Sequence, residues 1–280
     1  RFRRSALTET MFRIREFDIA PASPAYTDYS LQSLVFGDGV EVSSFGASDL
    51  NELTELKLPS SVNSLWLDNL SNLTQLDLTS WENLQNLNLQ AVGIDGESGL
   101  KLDLSHNTQL TSVTLRSLNL SGELSLQALS QVENIRLEFV EGLSELDLSQ
   151  NHALTDVYVS SLGLEKIVFA DDAVLASLEL GNNQLTELTI PQAAQLETLS
   201  VGENKLTSLN IPENSKATLK SLYAYQNNLA SLDLSGMKLE LCLLKAATAT
   251  GPEQYPSFEG VLQENGTVTV NLSGLAANIV

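Results

Sequence analysis

Few residues of this chain have the types and spacing that covalent or metal chemistry requires. His106 and His152 fall in separate predicted turns, about 10 Å apart at the strand spacing, too far to share a metal ion without other ligands. Ser235-Gly-Met-Lys238 has the spacing of a Ser-x-x-Lys nucleophile pair, but no other part of that motif set is present. Asp171-Asp172 offers too few oxygen ligands for calcium, and Cys242 lies in an apolar run typical of a small core residue. We therefore predict no enzyme activity, no metal ion and no cofactor.

Another set of residues is suited to recognition rather than to catalysis. Tyrosine, tryptophan and arginine dominate the hot spots of protein interfaces. The candidates of these types, with one phenylalanine, are Trp66, Arg116, Arg136, Phe139, Tyr158, Tyr223 and Tyr225. They are far apart in the sequence. They form one surface only if a repeating element presents each of them on the same side.

The stretch Leu175–Pro212 shows such an element. The pattern L-x-x-L-x-L-x-x-N-x-L runs from Leu175 to Leu185 and again from Leu196 to Leu206, and each copy is followed by a shorter phrase that ends in Ile-Pro. Self-similarity with a period of about 20–30 residues is the signature of a solenoid, and this pattern is that of the leucine-rich repeat. The phrase recurs from Leu31 onward, and two phrases make one coil of about 21–22 residues.

The phrases fall into two interleaved series of predicted strands. The first ladder has its strand cores at Leu65-Trp-Leu67, Leu87-Asn-Leu89, Val113-Thr-Leu115, Ile135-Arg-Leu137, Val157-Tyr-Val159, Leu178-Glu-Leu180, Leu199-Ser-Val201 and Leu222-Tyr-Ala224. The second ladder has them at Leu56-Lys-Leu58, Leu76-Asp-Leu78, Leu102-Asp-Leu104, Leu124-Ser-Leu126, Leu146-Asp-Leu148, Ile167-Val-Phe169, Leu188-Thr-Ile190, Leu209-Asn-Ile211 and Leu232-Asp-Leu234. Side chains alternate along a strand, so the outer residues of each triplet point inward and the middle one points outward.

The place where each first-ladder strand turns away changes along the chain. In the later coils this place is occupied by Asn183, Asn204 and Asn227, whose amides can pair with backbone groups that would otherwise be buried alone. In the earlier coils we expect apolar packing, because the residues there are Leu70, Val92, Leu118, Val140 and Leu162.

The two outward rows differ in character. The second ladder presents mostly short, repetitive polar residues, whereas the first varies from coil to coil and carries Trp66, Arg136, Tyr158 and Tyr223 at mid-strand. Arg116 and Tyr225 lie one pleat further on, and Phe139 follows just beyond. A row kept only for solubility can be monotonous, so we interpret the varied row as the binding face. The alternative is that these are isolated surface aromatics, which are ordinary.

Charge and composition limit the classes of partner that the chain can bind. The formal net charge is −20, with 35 acidic against 15 basic residues, so no basic face for nucleic acid is expected. There is one cysteine and hence no internal disulfide, and no apolar run is long enough for a transmembrane segment. We predict an N-terminal cap over residues 1–30, repeats over 31–245 and a C-terminal cap over 246–280, where Asn265-Gly266 marks a β-hairpin.

The repeat phrase itself resembles that of a known family. Leu143-Ser-Glu-Leu146-Asp-Leu-Ser-Gln-Asn151 and Gly99-Leu-Lys-Leu102-Asp-Leu-Ser-His-Asn107 are similar to internalin-like repeats of bacterial surface proteins, above all those of gut Bacteroidetes. The resemblance implies a right-handed, mostly β solenoid of the α/β leucine-rich-repeat type with short parallel strands. It also implies an exported cell-surface protein that binds a host or microbial macromolecule. Two functions follow: binding of a protein partner, or binding of a glycan on the exposed aromatics.

Overall fold

The chain forms a mostly parallel β solenoid. The computed structural model describes residues 13–19, 31–37, 39–95, 99–230, 232–244 and 269–270. Its strands are β1 (Arg13–Ile19), β2 (Ser33–Val35), β3 (Glu41–Ser48), β4 (Glu55–Lys57), β5 (Ser64–Leu70), β6 (Asn86–Val92), β7 (Ser112–Asn119), β8 (Asn134–Glu141), β9 (Glu145–Leu148), β10 (Asp156–Ser160), β11 (Lys166–Phe169), β12 (Ser177–Glu179), β13 (Thr198–Ser200), β14 (Ser221–Tyr223), β15 (Leu232–Asp233), β16 (Leu241–Leu243) and β17 (Thr269–Val270). Helix is limited, among these residues, to α1 (Glu213–Lys216), and no described helix is long and apolar enough to cross a membrane.

One 11-stranded sheet carries the first ladder. Its order is β1-β3-β5-β6-β7-β8-β10-β12-β13-β14-β16, and every neighbouring pair is parallel. The register advances one coil per strand, so that Leu65 pairs with Leu87 and Val113 with Ile135. The predicted first ladder is confirmed strand by strand. Equivalent positions of successive coils therefore form straight columns across the sheet, about 4.8 Å apart.

The inward columns form one continuous apolar core. Leu65 and Leu67 are 1% and 0% exposed, while Trp66 between them is 37% exposed. The same alternation runs through the coils that follow. Each buried leucine contributes roughly 1.5–3 kcal/mol relative to an exposed one, which is why a stack of coils is stable where a single coil is not.

The second ladder differs from the prediction. Its inward residues are buried as expected, except Leu56, Leu58 and Leu188, which are half-buried. Among the described residues only isolated bridges and short strand pairs form there: β2 with β4, β9 with β11, and β15 with β17. At several of these places an outward aspartate accepts a hydrogen bond from the backbone N–H two residues on, as Asp77 does from Thr79 and Asp103 from Ser105. The same turn occurs in β9, where Asp147 accepts from the N–H of Ser149, so it accompanies paired and unpaired segments alike. The alternating pattern thus predicted burial but not regular pairing.

A backbone kink recurs near the end of each first-ladder strand. Each coil from β3 to β14 has one non-glycine residue with a left-handed backbone directly after the outward pleat, with φ between 50° and 63°. These residues are Asp49, Asn69, Ala91, Ser117, Phe139, Ser161, Asn182, Glu203 and Gln226. Most are short or polar, as this conformation favours. The exception is Phe139.

Buried asparagines close many of the turns. The amide of Asn183 donates to the carbonyls of Val159 and Leu180, and its Oδ1 accepts from the N–H groups of Leu162 and Leu164. Asn204 and Asn227 repeat this arrangement, which confirms the predicted role. The apolar residues expected at this place in earlier coils are buried, apart from Leu162, which is half-buried.

Two asparagines of the second ladder are also buried. Asn107 donates to the carbonyls of Leu78 and Trp81, and Asn151 donates to the corresponding carbonyls two coils on. Their Oδ1 atoms accept no hydrogen bond from a described residue. The two sets of asparagines therefore differ in their hydrogen bonds. The first-ladder asparagines pair with both backbone N–H and backbone carbonyl groups, whereas Asn107 and Asn151 pair with backbone carbonyl groups alone.

The ends of the solenoid are described in part. β1 pairs with β3 and extends the main sheet, in agreement with the strand predicted around Phe17. β16 shows that the apolar run beginning at Leu239 contributes a strand, and β17 pairs antiparallel with β15. The predicted hairpin turn at Asn265-Gly266 lies outside the described residues. The cap boundaries and the handedness of the solenoid stay predictions.

Candidate functional site

The outward side chains of the 11-stranded sheet form the surface that we call the recognition face. It consists of three columns. The first contains Ser64, Asn86, Ser112, Asn134, Asp156, Ser177, Thr198 and Ser221; the middle column contains Trp66, Asn88, Thr114, Arg136, Tyr158, Glu179, Ser200 and Tyr223; and the third contains Asp68, Gln90, Arg116, Glu138 and Ser160. Phe139 lies at the kink beside the third column.

A charged and aromatic cluster lies at the centre of this face. Glu138 Oε2 accepts from Arg116 Nε at 2.9 Å and from Arg136 Nη2 at 3.0 Å. The Arg136 guanidinium carbon lies 3.9 Å from the ring centroid of Tyr158. Register explains the arrangement: Arg116 pairs with Glu138, and Arg136 pairs with Tyr158, across neighbouring strands. One carboxylate therefore holds both arginines, and one of them is stacked on an aromatic ring.

The cluster extends toward the N-terminal end of the sheet. Arg116 Nη1 donates to Gln90 Oε1 at 3.4 Å. Partial burial raises the pKa of Asp68, with the nearby charge of Asp49 adding to the rise and the charge of Arg116 opposing it. A chain of polar contacts therefore spans β6, β7, β8 and β10, with Asp68 of β5 under the electrostatic influence of Arg116.

Two large apolar side chains are exposed on or beside the recognition face. Trp66 is 37% exposed at mid-strand, and Phe139 is 55% exposed directly after Glu138. Phe139 holds φ at 52°, a conformation that costs a bulky L-residue of the order of 1 kcal/mol. An exposed aromatic side chain at a strained position contributes little to the core.

The two tyrosines near the C-terminal end lie in different surroundings. Tyr223 is half-buried in the middle column of β14. The ring of Tyr225 lies close to Gly202. A Cβ atom on that glycine would be only 2.7 Å from the tyrosine ring. Glycine at this position therefore makes room for the ring on the neighbouring coil. Tyr225 is also half-buried, with its ring against Gly202.

A shallow depression of about 200 Å³ opens between the first and middle columns. Its floor is the backbone around Ile135 and Val157, and its walls carry Arg136 and Tyr158 on one side and Asp156 on the other. Glu179 closes the end toward β12. Sequence reasoning did not select Asp156 or Glu179, because it weighed aromatic and arginine residues of the second and third columns and gave the first column no role.

The structure brings together only part of the predicted set. Arg116, Arg136 and Tyr158 lie on three adjacent strands and form one cluster with Glu138. Phe139 follows Glu138 on β8. Trp66 stands apart on β5, two strands from β7, and Tyr223 stands apart on β14, with β12 and β13 between it and Tyr158. Glu138, which holds the cluster together, was recognised as an outward residue but not as a site residue. Its role depends on side-chain conformations that spacing does not reveal.

The residues first considered for chemistry lie elsewhere and apart. His152 Nδ1 is 2.6 Å from Asp172 Oδ1, and this contact lowers the pKa of that carboxyl. His106 contacts Ser105, and burial raises the pKa of Cys242 to about 11, which leaves it a neutral thiol. Within the described ranges no three His, Cys, Asp or Glu side chains gather in a way that could hold a metal ion.

Comparison with known proteins supports the fold. No protein-family model and no curated protein matches the chain. A solved structure, the functional domain of InlJ from Listeria monocytogenes, which includes a cysteine ladder, is similar with a TM-score of 0.50 and 24% sequence identity. The match covers 75% of this chain and 43% of the other, so this chain spans less than half the length of that solved chain. With its single cysteine, this chain has no such ladder and uses buried asparagines at its turns.

Proposed function

We propose that this chain, an internalin-like leucine-rich-repeat protein in its fold, is a non-catalytic module that binds a protein partner through the recognition face. The observation that carries the proposal is the cluster in which Glu138 holds Arg116 and Arg136 and in which Arg136 stacks on Tyr158. Arginine and tyrosine are the residue types that most often dominate protein interfaces.

Pre-organisation supports this assignment. Long side chains lose about 0.5–1.5 kcal/mol of conformational freedom each when a partner immobilises them. Both arginines already have fixed partners, so much of that loss has been met before binding. Their side chains remain 40% and 42% exposed, which leaves guanidinium donor groups available to a partner. A face that served solubility alone would not need its charges fixed in this way.

The contrast between the two ladders also supports the proposal. The second ladder repeats Asp77, Asp103, Asp147 and Asp233, each engaged in the same local turn. The recognition face instead changes its residue from coil to coil. The seven proposed anchors are Trp66, Arg116, Arg136, Phe139, Tyr158, Tyr223 and Tyr225, with the central four as the main contact.

Binding to an extract tests the proposal. The chain is immobilised and used to capture proteins from host and microbial extracts, and the double variant Arg136→Glu, Tyr158→Ala is run beside it. We expect the double variant to lose the captured protein. The matched control is Asp103→Ala, which changes the outward row of the second ladder and should retain it. Equal capture by wild type and the double variant would refute the assignment of the face.

A second candidate function is glycan binding. It is favoured by the exposed aromatic ring of Trp66 and by the hydroxyl, amide and carboxyl groups that line the depression. Sugar rings stack on aromatic faces, and their hydroxyls pair with groups of that kind. A glycan array tests this function: specific spots that disappear with Trp66→Ala would favour it, and an array without hits would reject it.

We also propose that the protein acts outside the bacterial cell, at its surface. The support is the L-D-L-S-x-N phrase that begins at Leu146 and at Leu102, which is similar to the repeats of bacterial surface proteins. The segments that flank this region in the full gene give the test. An export signal and a surface anchor are the expected features, and a gene product without any export signal would contradict the proposal.

A further inference from the structure

We propose that the depression on the recognition face receives an arginine side chain of the partner protein, which stacks on Tyr158 and pairs with Glu179 and Asp156. The inference rests on the proposed function, because it names what the face takes from the partner. It concerns a part of the face that neither the repeat pattern nor the fold comparison singles out.

The charges around the depression are unbalanced. The three columns of the recognition face carry two arginines, Arg116 and Arg136, against four carboxylates, Asp68, Glu138, Asp156 and Glu179. Both arginines are engaged by Glu138. Among the described residues no cation forms an ion pair with Glu179 or Asp156, although both line the depression. Asp156 accepts a hydrogen bond from Thr155 Oγ1, but neither carboxylate has a cation partner among the described residues.

The tyrosine ring gives the site its shape. Arg136 of β8 covers one face of the Tyr158 ring at 3.9 Å. Glu179 lies on β12, on the other side of β10, and pairs in register with Tyr158. The second face of the ring is thus on the side of the unpaired carboxylate. A cation placed there would meet a ring face and a carboxylate together, which is the arrangement that Arg136 already makes with Tyr158 and Glu138.

Arginine fits this arrangement better than lysine. Its planar guanidinium stacks on aromatic faces and presents several N–H donors to carboxylates in a fixed fork, whereas an ammonium group is a compact, strongly hydrated charge. The surroundings add to the attraction, because Tyr158 and Glu179 are both half-buried and water screens them less than it screens a free surface. The whole chain, at −20, attracts a basic partner from a distance.

Titration with a small probe tests the inference without knowledge of the partner. N-acetyl-argininamide is added to ¹⁵N-labelled protein at low salt while backbone amide resonances are followed. We expect shifts confined to β8, β10 and β12. N-acetyl-citrullinamide, which has the same shape without the charge, should bind about tenfold more weakly, because hydrogen bonds between charged groups are roughly twice as strong as neutral ones. N-acetyl-lysinamide should bind between the two.

Two variants make the test specific. Glu179→Gln should weaken binding of the arginine probe about tenfold or more, whereas Glu203→Gln, an exposed glutamate of a neighbouring coil outside the depression, should leave it unchanged. The inference is overturned if the arginine probe causes no shifts, if the citrulline probe binds equally well, or if Glu179→Gln binds like wild type. Each of those results is compatible with capture of a partner that depends on Arg136 and Tyr158. The proposal of partner binding and the proposal of an arginine in the depression can therefore fail independently.

Discussion

Single residues carry most of what is specific about this protein. Two leucine-rich coils with the same inward residues can differ entirely in their outward chemistry, and here Arg116, Arg136, Glu138 and Tyr158 make the difference. Register places these residues side by side, since equivalent positions on neighbouring strands lie about 4.8 Å apart. The triplet pattern predicted that Arg136 and Tyr158 point outward side by side. It did not predict that Glu138 would hold two arginines at once.

Phe139 makes a prediction about the relation between stability and function. Replacing it with asparagine, which tolerates a left-handed backbone, should raise the free energy of unfolding by about 1 kcal/mol. The same substitution should weaken binding to the captured partner. Urea denaturation followed by circular dichroism measures the first effect. As a control, Asn69→Phe at the equivalent position of β5 should lower stability by a similar amount. A less stable Phe139→Asn variant would show that the ring supports the fold instead.

The buried asparagines make a second prediction at this scale. Asn183→Ala leaves the N–H groups of Leu162 and Leu164 without an acceptor in addition to removing donors to carbonyls, so it should cost about 3 kcal/mol. Asn151→Ala removes donors only, because its Oδ1 accepts nothing from the described residues, and should cost about 1 kcal/mol. Equal losses for the two variants, measured by urea denaturation, would mean that the acceptor side of Asn183 has no energetic weight.

At the scale of elements, the two ladders show how far sequence patterns extend. The leucine triplets predicted every strand from β5 to β8 and from β12 to β14, because period-two burial is a direct consequence of strand geometry. The same triplets in the second ladder predicted the buried residues but too many strands. The aspartate turns do not explain the difference, because Asp147 makes one within β9 whereas segment 124–126, which has no aspartate, forms no strand. Burial requires only the apolar spacing, whereas strand pairing also depends on the backbone path of each coil, which that spacing does not specify.

The aspartate turns predict a pH dependence. Hydrogen bonds from the Ser149 hydroxyl and backbone lower the pKa of Asp147 below its ordinary 3.8. A carboxyl whose pKa is lower in the folded state stabilises the fold above its unfolded pKa, and that stability is lost as pH falls toward the folded value. The free energy of unfolding should therefore decrease below pH 3.8, with Asp77, Asp103 and Asp233 contributing in the same sense.

Carboxyl NMR checks the cause of that dependence. Ser149→Ala removes the hydroxyl and keeps the backbone donor, so the pKa of Asp147 should rise toward 3.8 without reaching it. Ser130→Ala, an exposed serine away from this turn, is the matched control and should leave the titration unchanged. An Asp147 pKa that is the same in wild type and Ser149→Ala would contradict the turn as its origin.

At the scale of the whole molecule, a stack of coils separates stability from recognition. The inward columns repeat leucine, isoleucine and valine and supply the core, so the outward columns are free to vary without loss of the fold. This division explains why the architecture could be predicted from the sequence and the ligand could not. Leucine spacing is a direct record of burial, whereas affinity depends on how a few side chains such as Glu138 and Glu179 are placed against one another.

The net charge makes a prediction about association. With −20 overall and an excess of carboxylates on the recognition face, the chain should attract a basic partner electrostatically, and the association rate constant should fall as salt is raised. Surface plasmon resonance with the captured partner at several salt concentrations measures this. Asp156→Asn with Glu179→Gln should flatten the dependence. A rate constant that does not change with salt would exclude electrostatic steering.

The most direct test of the account is to ask which surface touches the partner. A photo-crosslinking amino acid is placed at Thr114, beside Arg136 on the recognition face, and in a separate variant at Ser125, on the outward row of the second ladder. Each variant is irradiated with the captured partner and analysed by mass spectrometry. The account predicts a covalent adduct from position 114 and none from position 125. An adduct from position 125 alone, or equal adducts from both, would contradict it.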